Sequence, residues 1–106
     1  MPHITTHVLD AVRGVPAAEV DVTLSTDDGA AVAAGRTDAD GRLGLGPDVL
    51  EPGDYALTFA TGAYFAANGT ATFYPSVTIA FTVAERPHYH VPLLLSPFGY
   101  STYRGS

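Results

Sequence analysis

Apolar and polar residues alternate with a period of two along most of this chain, the pattern of strands with one buried face. Between His3 and Leu9, the residues Ile4, Thr6 and Val8 share one face, and His3, Thr5, His7 and Leu9 share the other. Gly14 and Pro16 interrupt the pattern within a turn from Asp10 to Pro16. It resumes from Glu19 to Ser25 with Val20, Val22 and Leu24 inward. Asp27-Asp28-Gly29 reads as a tight turn into a strand from Ala31 to Arg36. The polar turn Thr37-Asp38-Ala39-Asp40-Gly41 delivers Arg42 at its end, Pro47 to Pro52 is irregular, and Tyr55, Leu57 and Phe59 mark another strand. One or two helical turns fit residues near 62–68, with Asn68-Gly69 as a left-handed stop. Val77, Ile79, Phe81 and Val83 then point inward along a strand between 75 and 84. Seven or eight short strands with regularly spaced turns predict an all-β, two-sheet sandwich with one short helix, a single domain spanning 1–106.

The stretch from His88 to Ser106 closes the chain as a hairpin. Ser96-Pro97-Phe98-Gly99 is a four-residue break with Pro and Gly between two strand-like runs. A loop there sets Leu95 opposite Tyr100, Pro92 opposite Tyr103 and His90 opposite Gly105. His90, Pro92, Leu94, Ser101, Tyr103 and Gly105 then share one side, and the C-terminus is docked beside the His90 imidazole. The same register sends the Arg104 side chain to the side opposite His90.

Composition narrows the chemistry. The chain has 106 residues, 46% hydrophobic and 15% charged, which is globular rather than disordered. It lacks cysteine, which excludes disulfides, thiolate metal sites and a Cys nucleophile. With no lysine, Schiff-base chemistry and a Walker-type phosphate loop are excluded too. Five arginines against eleven acids give a formal charge of −6, which argues against a nucleic-acid surface. No early apolar run has the length of a signal peptide or membrane helix, so a soluble, cytoplasmic protein is expected.

Acid–base work near neutral pH falls to four residues, His3, His7, His88 and His90. His3 sits near a terminus open to fraying and His88 follows a turn, so both read as ordinary polar positions. His7 and His90 are held in strands that can aim them. His88-x-His90 sets two imidazoles about 7 Å apart on one face, and His7 as a third ligand would make a zinc site. Asp27/Asp28 and Asp38/Asp40 lie in Gly-containing turns, where aspartate is expected for backbone reasons. Arg42 and Arg104 are the guanidinium groups worth weighing. Neutral imidazoles with arginine suit an anionic, carbonyl-rich small molecule, with imidazole relaying protons for water and arginine stabilising an oxyanion.

Three segments carry a family likeness: Thr6-His7-Val8-Leu9-Asp10, Thr37-Asp38-Ala39-Asp40-Gly41-Arg42, and the ending from His90 through Tyr103-Arg104-Gly105-Ser106. Together with Gly62-Ala63-Tyr64-Phe65 at the short helix, they resemble the 5-hydroxyisourate hydrolases, the transthyretin-related enzymes of purine catabolism. The resemblance spans the whole chain, and the terminal tetrapeptide is its most specific part. It implies a transthyretin-like sandwich that opens the ring of 5-hydroxyisourate at a cyclic amide, giving 2-oxo-4-hydroxy-4-carboxy-5-ureidoimidazoline. It further implies a homotetramer, a dimer of dimers with its sites in a channel where the dimers meet, and no metal or organic cofactor. Carried over residue by residue, the catalytic positions are His7, Arg42 and His90. By the same resemblance, Tyr103, Arg104, Gly105 and Ser106 are expected to line the substrate pocket. The sequence departs from the family's habit in a short segment from Ser25 to Ala34 and at Tyr74-Pro75-Ser76. A transthyretin-like carrier of an apolar or aromatic ligand is the alternative, and its channel would be lined by apolar, Lys and Glu side chains rather than two His and an Arg.

Overall fold

A computed structural model describes residues 2–105. The strands are β1 (Ile4–Asp10), β2 (Val15–Pro16), β3 (Asp21–Thr26), β4 (Ala31–Arg36), β5 (Arg42–Leu45), β6 (Gly53–Phe59), β7 (Val77–Val83), β8 (Tyr89–Ser96) and β9 (Gly99–Thr102). One helix, α1 (Thr61–Ala67), separates β6 from β7. One sheet runs β2-β1-β8-β9, with β5 also paired to β1, and the other runs β4-β3-β6-β7. This is the two-sheet sandwich with one short helix that the alternation predicts.

Two strands lie beyond what the alternation predicts. β2 is a two-residue pairing of Val15 and Pro16 with the end of β1. β5 is four residues, Arg42-Leu43-Gly44-Leu45, too short and too interrupted by glycine to show a period, yet it pairs antiparallel with β1 from Ile4 to His7.

The core forms where the inward faces meet. Ile4, Val8, Leu93 and Leu95 of one sheet pack in a single cluster with Val22, Leu24, Leu57 and Phe59 of the other. Each such side chain, fully withdrawn from water, contributes about 1.5–3 kcal/mol. Strand β1 shows the period cleanly, with Ile4, Thr6, Val8 and Asp10 buried and Thr5, His7 and Leu9 only partly so. Thr6 tolerates burial because its hydroxyl donates to the Val91 carbonyl at 2.6 Å. Asp10 does so because its carboxylate accepts from the amides of Val12 and Arg13 and from the Tyr64 hydroxyl at 2.8 Å. That last bond ties α1 to β1, and burial followed by the Asp10 bond raises the Tyr64 phenol above its ordinary range.

Two placements position the site. β1 and β8 pair in parallel over their length, with Ile4 opposite Tyr89, Thr5 opposite His90 and His7 opposite Pro92. The closing hairpin takes the register expected of it, Leu95 opposite Tyr100 and Leu94 opposite Ser101, and an isolated bridge sets His90 opposite Gly105. Among the described residues, no helix is long and apolar enough to cross a membrane.

Candidate active site

The outward face of the β5-β1-β8 sheet gathers most of the polar chemistry. Because paired residues share a face, Thr5 and His7 of β1 come level with His90 of β8 on one side and with Gly44 and Arg42 of β5 on the other. An open depression of about 360 Å³ lies over them, lined among others by Thr5, Asp38, Arg42, His88 and His90.

His7 and Arg42 are held there by the turn between β4 and β5. Asp38 folds the turn around its own carboxylate, whose Oδ1 accepts from the amides of Asp40 at 2.8 Å and Arg42 at 3.0 Å. The Gly41 carbonyl then accepts from the Val8 amide at 2.8 Å, fastening the turn to β1. Gly41 is required here, since its φ of +74° disfavours any side chain and a Cβ would collide with the Val8 carbonyl oxygen. Thr37 anchors the other end, buried, with its hydroxyl bonded to the Ala17 carbonyl and the Val20 amide. The turn leaves the Asp40 carbonyl 2.9 Å from Nε2 of His7. A carbonyl only accepts, so His7 carries its proton on Nε2, and Nδ1 is the nitrogen left for other work.

His90 is fixed from three directions. Its Nδ1 lies 2.8 Å from the Thr5 hydroxyl. Its carbonyl accepts from the Gly105 amide at 2.9 Å. Its ring lies against Gly105, where an added Cβ would come within 2.5 Å of Cδ2. Burial, then the charges of His88, Arg42 and His7, lower the His90 imidazole below its ordinary value, while a hydrogen bond with the Thr5 backbone acts the other way. His90 is therefore a neutral imidazole at pH 7.

Not every expected residue meets in this depression. His7 pairs with Arg42 through the backbone but does not line the depression. Tyr103 and Arg104 line a second depression of about 430 Å³ with Arg86, Tyr89 and Phe81, and His90 forms part of both walls. Gly105 meets His90 directly, and Ser106 lies outside the described residues. His3 differs from its expected freedom at a terminus. It is 3% exposed, its Nδ1 accepts from the Leu50 amide at 2.8 Å, and its Nε2 donates to the Arg86 carbonyl at 2.7 Å. Its imidazole is a structural clasp between two loops. Among the described residues, no three His, Asp or Glu side chains gather with metal-holding spacing, so His7, His88 and His90 do not form the three-histidine site.

Sequence reasoning passed over Thr5, and it weighed His88 only as an ordinary polar position or a zinc ligand. The Thr5 hydroxyl sits between the two imidazoles, 2.8 Å from His88 Nε2 and 2.8 Å from His90 Nδ1. Alternation already set Thr5 on the face of His7. The missing signal was the parallel pairing of β1 with β8, a contact between residues 85 apart in sequence.

The face thus offers two imidazoles with one nitrogen each uncommitted to the scaffold, and a guanidinium beside them. Such a set can activate water and stabilise an oxyanion at a carbonyl. Comparison with known proteins points the same way. A family described as HIUase/Transthyretin matches residues 4–105. The 5-hydroxyisourate hydrolase of Caulobacter vibrioides is 49% identical, with all of both chains covered. The structure of the Klebsiella pneumoniae 5-hydroxyisourate hydrolase superposes with a TM-score of 0.91 at 40% identity, covering 97% of this chain and 98% of that one. Sea bream transthyretin in complex with thyroxine superposes at 0.88 with 33% identity, covering 97% and 94%.

Proposed function

This chain belongs to the HIUase/Transthyretin family, and on that premise we propose that it is a hydrolase that opens the ring of 5-hydroxyisourate at a cyclic amide bond in urate catabolism. The observation that carries this reading is the outward face where His7 lies opposite Arg42 and Thr5 opposite His90. A thyroxine-type carrier needs no such set. This chain also has no lysine for a carrier's charged channel mouth.

In the reaction we infer, a water molecule attacks the ring carbonyl carbon, and the carbonyl π electrons move to oxygen. Arg42 stabilises that oxyanion. His7 and His90 between them take the water's proton and return it to the ring nitrogen that leaves. Hydrogen bonding favours Nδ1 as the working atom of His7, whose Nε2–H is given to the Asp40 carbonyl, and Nε2 as that of His90, whose Nδ1 is bound by Thr5. Gly105 lets the terminal segment close against the His90 ring, and Tyr103 and Arg104 hold the substrate from that side, with Ser106 the remaining substrate-binding residue of the proposal. No metal or organic cofactor enters this scheme.

The assembly we infer is a homotetramer, a dimer of dimers, formed by a single domain over 1–106 in the cytoplasm. Edge strands β7 and β9 flank the second depression, each with an edge unpaired among the described residues that another copy can extend. The test is the decay of freshly generated 5-hydroxyisourate, followed by absorbance with and without the protein. Acceleration by the parent chain, cut by about 10²–10⁴-fold in His90→Ala and in His7→Ala, is the expected result. Parent-like turnover by His90→Ala would remove it from the mechanism, and no acceleration by the parent would overturn the activity.

A further inference from the structure

We propose that Thr5 and His88 form a hydroxyl-bridged relay with His90, passing to His88 the proton that His90 takes from water. This rests on the hydrolase reading for its substrate and on the geometry alone for its wiring. Both residues are positioning residues, since each acts through His90.

The wiring follows from counting protons. The Thr5 hydroxyl lies 2.8 Å from an imidazole nitrogen on either side, Nε2 of His88 and Nδ1 of His90. It has one proton to donate, so it donates to one ring and accepts N–H from the other. The two tautomers are therefore locked together. When the hydroxyl donates to His88, His90 carries its proton on Nδ1 and presents a bare Nε2 to the depression, the form a base needs. When it donates to His90, the Nε2 of His90 carries the proton, the form an acid needs. The two rings are 6.5 Å apart, centre to centre, and nearly parallel, inclined by 21°. Direct contact is thus replaced by the threonine bridge.

The relay balances as follows. His90 Nε2 takes a proton from the attacking water as the new C–O bond forms. Its Nδ1 proton passes to the Thr5 oxygen, and the Thr5 proton passes to Nε2 of His88. His88 becomes the imidazolium, and His90 is again neutral, now carrying a proton on Nε2. As the C–N bond breaks, that proton goes to the leaving nitrogen, and the three groups run back to their starting state. A cationic His90 would face His7 of β1, Arg42 of β5 and Arg104 beyond β9, with Asp38 of the β4–β5 turn the acid lining the same depression and Tyr103 and Arg86 lining the neighbouring one. Passing the charge on returns His90 to the neutral form that its burial favours.

The test pairs Thr5→Val, which keeps the branched shape without the hydroxyl, with Thr5→Ser, which keeps the hydroxyl, and adds His88→Gln. Imidazole 15N shifts are followed against pH in the free proteins, and turnover of 5-hydroxyisourate is measured alongside. In the parent and in Thr5→Ser, the His88 and His90 nitrogens should titrate as a coupled pair. In Thr5→Val the charge of each ring still acts on the other, but the match of their neutral tautomers, both Nδ1–H or both Nε2–H while the hydroxyl is present, should be lost. Thr5→Val and His88→Gln should lose about tenfold or more in kcat with KM nearly unchanged, and Thr5→Ser should recover the parent rate. Unmatched neutral tautomers in the parent, or parent-like kcat in both Thr5→Val and His88→Gln, overturns the relay. Tautomer matching lost in Thr5→Val supports the bridge even if 5-hydroxyisourate proves not to be the substrate, so the two readings fail separately.

Discussion

At the residue scale, the fate of one proton on His90 links electrostatics to both activity and stability. Burial and three neighbouring basic groups lower its imidazole, so the folded chain binds that proton less readily than the unfolded chain. The stability this costs is absent above the unfolded value of about 6.5. It grows as pH falls from there toward the lower folded value, so the thermal midpoint should drop on acidification through that window. Removing the guanidinium should relieve the effect. In Arg42→Met, the His90 Cε1 proton, followed by NMR, should titrate at a higher pH than in the parent. An unchanged midpoint would mean that Arg42 does not act on His90. His3 shows the limit of reading histidines by position. Its place beside a terminus suggested fraying, but the Leu50 amide and Arg86 carbonyl that clasp it come from loops no local pattern connects to it.

At the element scale, the turn from Asp38 to Gly41 does more for the site than its composition suggests. It was legible as a turn because Asp and Gly serve backbone geometry. Its second task, fastening Arg42 and the Asp40 carbonyl against β1, depends on a backbone contact at Val8. Gly41→Ala tests that task. The positive φ and the collision with the Val8 carbonyl should cost of order 1–3 kcal/mol, a fall in Tm of roughly 10 °C, with lost activity as Arg42 shifts. A melt matching the parent would show the turn to be a passive link. The register of the β8–β9 hairpin was legible, although the loop is the two residues Pro97-Phe98 rather than four, because Ser96 and Gly99 pair as strand ends, and the His90–Gly105 bridge falls where that register sets it. By contrast, β5 was hidden, because four residues with a central glycine carry no period. The neighbour of β1 was hidden too, because alternation says which face a strand buries but not which strand lies beside it. Thr5 went unnoticed and His88 was left an ordinary polar position for that reason, although the family likeness had already singled out His7, Arg42 and His90.

At the scale of the whole molecule, both sheets end, among the described residues, in strands with free edges, β7 and β9, on the side where the second depression opens. Light scattering after size exclusion should give about four times the 11.0 kDa of one chain. A monomer that still turns over substrate would show that each site is complete within one chain. The parallel contact of β1 with β8 has a consequence of another kind, for the order of events during folding. Strand β1 is made first, yet its long partner arrives only with residues 89–95. Until then, the row of amides and carbonyls that β8 will take up has no mate. Closing so long an intervening stretch is slow, placing this topology among chains that fold in milliseconds to seconds. Thr5 meets His90 only at that closure. Catalytic competence is therefore among the last properties a growing chain acquires, and intermediates lacking the β1–β8 contact have no means of acting on substrate, however much of the other sheet they have built.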